Sequence, residues 1–128
     1  MGKKTIVTSQ KAPAAIGPYS LGIRHGNLLF ASGSAGVDPN TGKLVAGGIE
    51  AETRQTLTNL ANILEGGGSS LANVIKTTVF LKDMAEFSKM NAIYAEFFDH
   101  DPPARSTIQA AALPLGAAVE IEAIAYVD

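Results

Sequence analysis

The segment Val119 to Val127 constrains the fold more than any other stretch of this chain. Val119, Ile121, Ala123, Ala125 and Val127 fall on one side of an extended backbone, and Glu120, Glu122, Ile124 and Tyr126 fall on the other. A period of two sustained over that length belongs to a strand with one face against a core. The second face carries two carboxylates, Glu120 and Glu122, about 7 Å apart on an extended chain. A solvated face is the first reading of such a pair.

A sheet with one apolar face needs a cover, and two helical patterns supply it. Ile49, Thr53, Leu57, Leu60 and Leu64 recur at intervals of three and four, which predicts a helix from Ile49 to Glu65 with one buried side. Glu50 and Glu52 fall in its first turn, where the helix dipole favours them. Gly66-Gly67-Gly68 stops it. Val74 to Lys82 is β-branched and alternating, a second strand with Thr77, Val79 and Leu81 on one face and Thr78, Phe80 and Lys82 on the other. Asp83 with Glu86 forms a capping-box pattern that opens a second helix, whose Met84, Phe87, Met90, Tyr94 and Phe97 make the buried stripe. Asn91 lies beside that stripe and reads as a buried structural amide.

Upstream, Thr5-Ile6-Val7 is a short β run, and Ala12 to Tyr19 is an extended loop punctuated by Pro13 and Pro18. Tyr19 is expected to open a strand through Ile23, its ring buried and its hydroxyl satisfied. Asn27 to Gly33 reads as a further strand. Asp38-Pro39-Asn40-Thr41-Gly42 then reverses the chain into Lys43-Leu44-Val45, which predicts a β-meander. The sum is one α+β domain over residues 1–128, with two helices covering one face of a mixed sheet.

Pro102-Pro103-Ala104-Arg105-Ser106-Thr107-Ile108 is the most chemical stretch. The two prolines hold the chain extended into a strand that begins near Arg105. From Ser106 to Val119 no side chain ionises, so Arg105 stands alone among uncharged residues. A desolvated guanidinium needs an anion, either Glu120 or a carboxylate on a ligand. An ordinary structural ion pair is the plainer alternative. The expectation is that Arg105 and Glu120 face one another from two neighbouring C-terminal strands.

Composition removes several classes of function. A formal net charge of −2 with dispersed lysines gives no electrostatic footprint for nucleic acid or for an anionic membrane. His25 and His100 have neither ligand spacing nor catalytic spacing. The absence of cysteine excludes disulfides, thiolate metal sites and a thiol nucleophile. Gly42-Lys43 is followed by Leu44 where a phosphate loop needs Ser or Thr. Met1 to Ile6 lacks the apolar run of a signal peptide, and no stretch is long enough to span a bilayer, so a soluble cytoplasmic protein is expected. Only 17% of residues are charged, against about 25% in ordinary domains, which points to a buried outer surface and a homo-oligomer.

Pro103-Ala104-Arg105-Ser106, Ile108, Leu113 and Val119-Glu120-Ile121 together resemble the C-terminal signature of the reactive-intermediate deaminases, the RidA/YjgF family. Ala12 to Tyr19, Ser32-Gly33, Asp38-Pro39 with Thr41-Gly42, and Lys76 to Phe80 with Lys82-Asp83 are similar to the family's other blocks, in the same order. The resemblance implies a chorismate-mutase-like fold, a barrel-like homotrimer with clefts between subunits, and no metal or organic cofactor. It implies hydrolysis of reactive 2-imino acids, such as 2-iminobutanoate and 2-iminopropanoate, and of their enamines, to 2-keto acids and ammonia. By the same resemblance Arg105 holds the substrate carboxylate and Glu120 lies near the reacting carbon. Tyr19, Ser32, Gly33 and Asn91 line the cleft, and Thr107 stands where many relatives have Cys. Ser34-Ala35-Gly36, Gln109 and Ala112 depart from the common pattern. The alternative is a non-catalytic protein that binds related metabolites in the same clefts.

Overall fold

In the computed structural model, which describes residues 2–128, six strands form one mixed sheet and two helices lie on one of its faces. Strands β1 (Thr5–Val7), β2 (Gly22–His25) and β3 (Leu28–Ala35) precede helix α1 (Gly48–Gly66). Strand β4 (Val74–Leu81), helix α2 (Phe87–Phe97), and strands β5 (Ala104–Gln109) and β6 (Val119–Tyr126) follow. The order across the sheet is β1-β2-β3-β6-β4-β5. Only β4 and β5 are parallel, joined through α2; the other neighbours are antiparallel.

The alternating C-terminal segment is a central strand, as its pattern requires. Val119, Ile121, Ala123 and Ala125 are buried beneath the helices together with Thr77, Val79 and Leu81 of β4. The expected stripe of α1, Ile49, Thr53, Leu57, Leu60 and Leu64, is buried throughout. Its end uses the glycines: the amides of Gly67 and Ser69 both donate to the Leu64 carbonyl, and Gly68 takes φ +85°.

Four local expectations change. Tyr19 does not open a strand. Its amide donates back to the Gly17 carbonyl in a tight turn after Pro18, so pairing with β3 begins only at Gly22. The reversal at Asp38 to Gly42 forms, with the Gly42 amide on the Asp38 carbonyl at 2.8 Å, yet the returning segment makes one bridge, Leu44 with Val37. Gly47 and Gly48, both at positive φ, turn the chain out of the sheet into α1, so the returning segment adds no strand and the meander is made by β1, β2 and β3 instead. Asp83 caps a short 3-10 turn over Met84–Glu86 through the Ala85 amide, and the α-helix proper starts at Phe87. The change in pitch leaves Met84 outside, and Phe98 fills the core beside Tyr94, ring centroids 4.6 Å apart. Glu52, expected only to complement the helix dipole, is buried and accepts a hydrogen bond from the Ala118 amide at 2.8 Å. Among the described residues no helix is long and apolar enough to cross a membrane.

Candidate active site

Strand β3 is irregular where the site needs it to be. Ala31 lies opposite Ala123 and Ser34 opposite Ile121, so Ser32 and Gly33 together span the single residue Glu122. Such a bulge twists the strand and re-aims its side chains. Ser32 Oγ donates to the Ser20 carbonyl at 2.6 Å, tying the bulge to the loop that carries Tyr19. Gly33 has no side chain to fill the space beside Glu120, and the Glu120 carboxyl occupies it.

Helix α1 fixes both chain segments around this point. Asn59 Nδ2 donates to the carbonyls of Ala35 and Val37 at 3.0 and 2.8 Å. Gly36 lets the α1 backbone approach so closely that a Cβ there would lie 2.7 Å from Glu52 Cα. Glu52 in turn holds the Ala118 amide just ahead of β6. Sequence periodicity marked neither Glu52 nor Asn59 as polar anchors; a polar residue inside an apolar helix stripe was the available signal for Asn59.

The result is a cleft of about 610 Å³ lined by Tyr19, Ser32, Gly33 and Glu120, with Glu122, Ile16 and Leu115 beside them. The Tyr19 hydroxyl accepts from the Ile16 amide at 3.3 Å, although the ring is 47% exposed rather than buried. Burial raises the Glu120 carboxyl above the ordinary carboxylate range, and the neighbouring negative charge of Glu122 raises it further. The Glu120–Glu122 pair is therefore a cleft wall, with Glu120 half-buried.

Arg105 is elsewhere. Its guanidinium lies over the ring of Tyr94, 4.7 Å from the centroid, and 5.6 Å from that of Phe87, both on α2. Tyr94 is itself fixed by a 2.8 Å hydrogen bond between its hydroxyl and Thr77 Oγ1. No carboxylate pairs with Arg105 among the described residues. Thr107, two residues along the same face of β5, has a buried hydroxyl without a partner, and the amide oxygen of Asn91, which lies between Phe87 and Tyr94 in the sequence of α2, is likewise buried and unpartnered. The aromatic platform escaped the sequence reading, which took Phe87 and Tyr94 as core alone. Their seven-residue spacing on the crossover helix was the signal available.

The expectation that Arg105 and Glu120 face one another from adjacent strands is not met. Strand β4 lies between β5 and β6. Arg105 is level with Thr77 and Ala123, whereas Glu120 is level with Phe80 and Ile108. They are therefore separated by roughly 10 Å along the strands and about 9.5 Å across them, on opposite faces of the sheet. The candidate residues fall into two constellations: Tyr19, Ser32, Gly33 and Glu120 in the cleft, and Arg105, Thr107 and Asn91 at the β5 edge. The intervening sheet was invisible in sequence because strand order is not chain order.

A family model described as Endoribonuclease L-PSP matches residues 9–127. The chain is 50% identical over 96% of its length to the chloroplastic Reactive Intermediate Deaminase A of Arabidopsis thaliana, of which it spans 66%. It is 48% identical over 95% of its length to a 2-iminobutanoate/2-iminopropanoate deaminase of Mus musculus, of which it covers 90%. The crystal structure of the YjgF gene product of E. coli superposes with a TM-score of 0.90 at 42% identity, over 95% of this chain and 98% of that one.

Proposed function

The chain belongs to the RidA/YjgF family, to which the L-PSP model also corresponds, and on that premise we propose that it hydrolyses reactive 2-imino acids and their enamines to 2-keto acids and ammonia. The observation that carries this reading is the Arg105 guanidinium on its aromatic platform, free of any carboxylate among the described residues, with unpartnered buried oxygens on Thr107 of the same strand face and on Asn91 of the platform helix. A planar fork so placed suits a small carboxylate, through two charge-assisted hydrogen bonds. Residues 1–128 act as one domain, in the cytoplasm.

Hydrolysis requires three proton movements. The enamine gains a proton at carbon, water adds to C2 of the iminium, and the adduct loses ammonia. Glu120, with its carboxyl shifted toward the protonated form, supplies the first proton, accepts one from water as the carboxylate, and then passes that proton to the amine while taking up the proton of the C2 hydroxyl, so that ammonia leaves and the carboxyl ends protonated as it began. Tyr19, Ser32 and Gly33 shape the space in which this happens. Positioned acid–base groups of this kind contribute about 10²–10⁴-fold, enough for an intermediate that already hydrolyses in water.

Because Arg105 and Glu120 lie on opposite faces of one protomer, the complete site takes Arg105, Thr107 and Asn91 from one copy and the Glu120 cleft from the next. An interface between two different surfaces repeats until it closes, which fits a ring such as a homotrimer. Strand β5 offers an open edge for it, and the uncovered sheet face exposes Phe30, Ile108 and Tyr126.

The test is keto-acid formation from 2-iminobutanoate released by a threonine dehydratase, with Arg105→Ala and Glu120→Gln alone and after the two variants are unfolded and refolded together. Each alone is expected to lose most of the acceleration. Mixed assemblies regain roughly a quarter of it, because random mixing rebuilds that share of intact sites. No acceleration by the unmodified protein refutes the deaminase, and no recovery on mixing refutes the shared site. The L-PSP description raises endoribonuclease activity, but the exposed His25 and His100 lie outside the cleft and offer no acid–base pair there.

A further inference from the structure

Leu115 is one of two non-glycine residues at positive φ among the described residues, with φ 63° and ψ 11°, in the turn Pro114–Gly116 that leads into β6. Its backbone is held by the Gly116 amide on the Leu113 carbonyl and the Ala117 amide on that of Pro114, each at 3.1 Å. The left-handed region crowds a Cβ against the following carbonyl oxygen, a cost that glycine avoids. The strained position nevertheless carries a leucine whose side chain is 57% exposed, while the glycine comes next. Core packing therefore does not account for it. Leu115 lines the same cleft as Glu120, together with Ile16, itself 67% exposed.

Building on the deaminase reading above, we propose that Leu115, with Ile16, forms the subsite for the substrate's side chain and selects 2-imino acids with extended apolar side chains. The lining of the cleft supports this. The polar groups assigned to the reacting end, Arg105 and Glu120, are occupied by the carboxylate and the C2 chemistry. What remains for the side chain on this rim is hydrocarbon: Ile16, Pro114 and Leu115. Backbone strain that presents an apolar side chain at the mouth of a cleft is strain of the kind that persists at ligand contacts.

The experiment generates 2-imino acids from amino acids with methyl, ethyl, isobutyl and hydroxymethyl side chains, using an amino-acid oxidase with catalase. It compares kcat/KM for the unmodified protein, Leu115→Asn and Leu115→Gly. Asparagine tolerates the left-handed backbone and removes the apolar surface; glycine removes the strain as well, so neither variant depends on a new fold. The expected result is an unmodified protein that prefers isobutyl over methyl, with that ratio falling about 10-fold in both variants. A preference that does not increase with apolar side-chain size, or a ratio unchanged by both substitutions, overturns the inference while leaving the deaminase in place. Failure to accelerate any of the four substrates overturns both.

Discussion

Gly33 and the carboxyl of Glu120 claim the same space: a Cβ built on Gly33 would lie 2.5 Å from Glu120 Oε2 and 2.7 Å from its Cδ. Backbone fixed by the bulge cannot yield there, so the carboxyl must. Gly33→Ala is expected to swing Glu120 out of position and lower kcat about 10²-fold, the order of effect that a misplacement of about 1 Å produces. Gly33 is exposed, so the urea midpoint should scarcely move. Full activity in the alanine variant would show that the observed placement of Glu120 is not the working one.

Glu120 gives stability and rate a shared pH dependence. Its carboxyl is raised, by burial first and by Glu122 second. At low pH it is protonated in both states and has no effect. As pH rises, the unfolded chain loses this proton first, so stability declines across the interval between the ordinary and the raised value, and the penalty is complete above the latter. If protonated Glu120 is the donor, kcat/KM falls through the raised value too. Glu122→Gln removes the smaller cause and should move that limb toward lower pH, as a pH–rate profile will record.

Tyr94 serves two neighbours at once. Tyr94→Phe keeps a ring beneath Arg105 but leaves the fully buried Thr77 hydroxyl unpaired, and a loss of about 1–3 kcal/mol is expected in denaturant titration. Tyr94→Leu also removes the aromatic face under the guanidinium, so KM should rise as well.

The Glu52 carboxylate links α1 to the start of β6. Glu52→Ala strands the Ala118 amide and should lower stability by about 1–3 kcal/mol, read as a lower urea midpoint with an unchanged slope. Glu52→Gln retains an acceptor oxygen and should recover most of the loss.

Thr53 offers the opposite sign. Its hydroxyl is buried in α1 with no hydrogen-bond partner. Thr53→Val keeps the shape and removes the desolvated oxygen, so the midpoint should rise by the equivalent of about 1 kcal/mol.

The chain order of elements was legible because the periodicities of β6, β4 and α1 are local properties: each side chain's direction follows from its position in a strand or helix. Arg105, Glu120, Tyr19, Ser32 and Gly33 stood out as candidates through the blocks that resemble the family, and Asn91 and Thr107 through the positions that the same resemblance implies. Their grouping was not legible. Which strand lies between two others, where β3 bulges, and which face of the sheet a residue takes depend on contacts between segments far apart in sequence. Here β4 inserts between β5 and β6 and places Arg105 beneath α2, while Glu120 looks into the opposite cleft. Local pattern was enough for most elements and for the chemical groups they carry; that those groups fall into two separate constellations was settled only by the folded chain, because strand pairing is a long-range choice that leaves no record in local pattern.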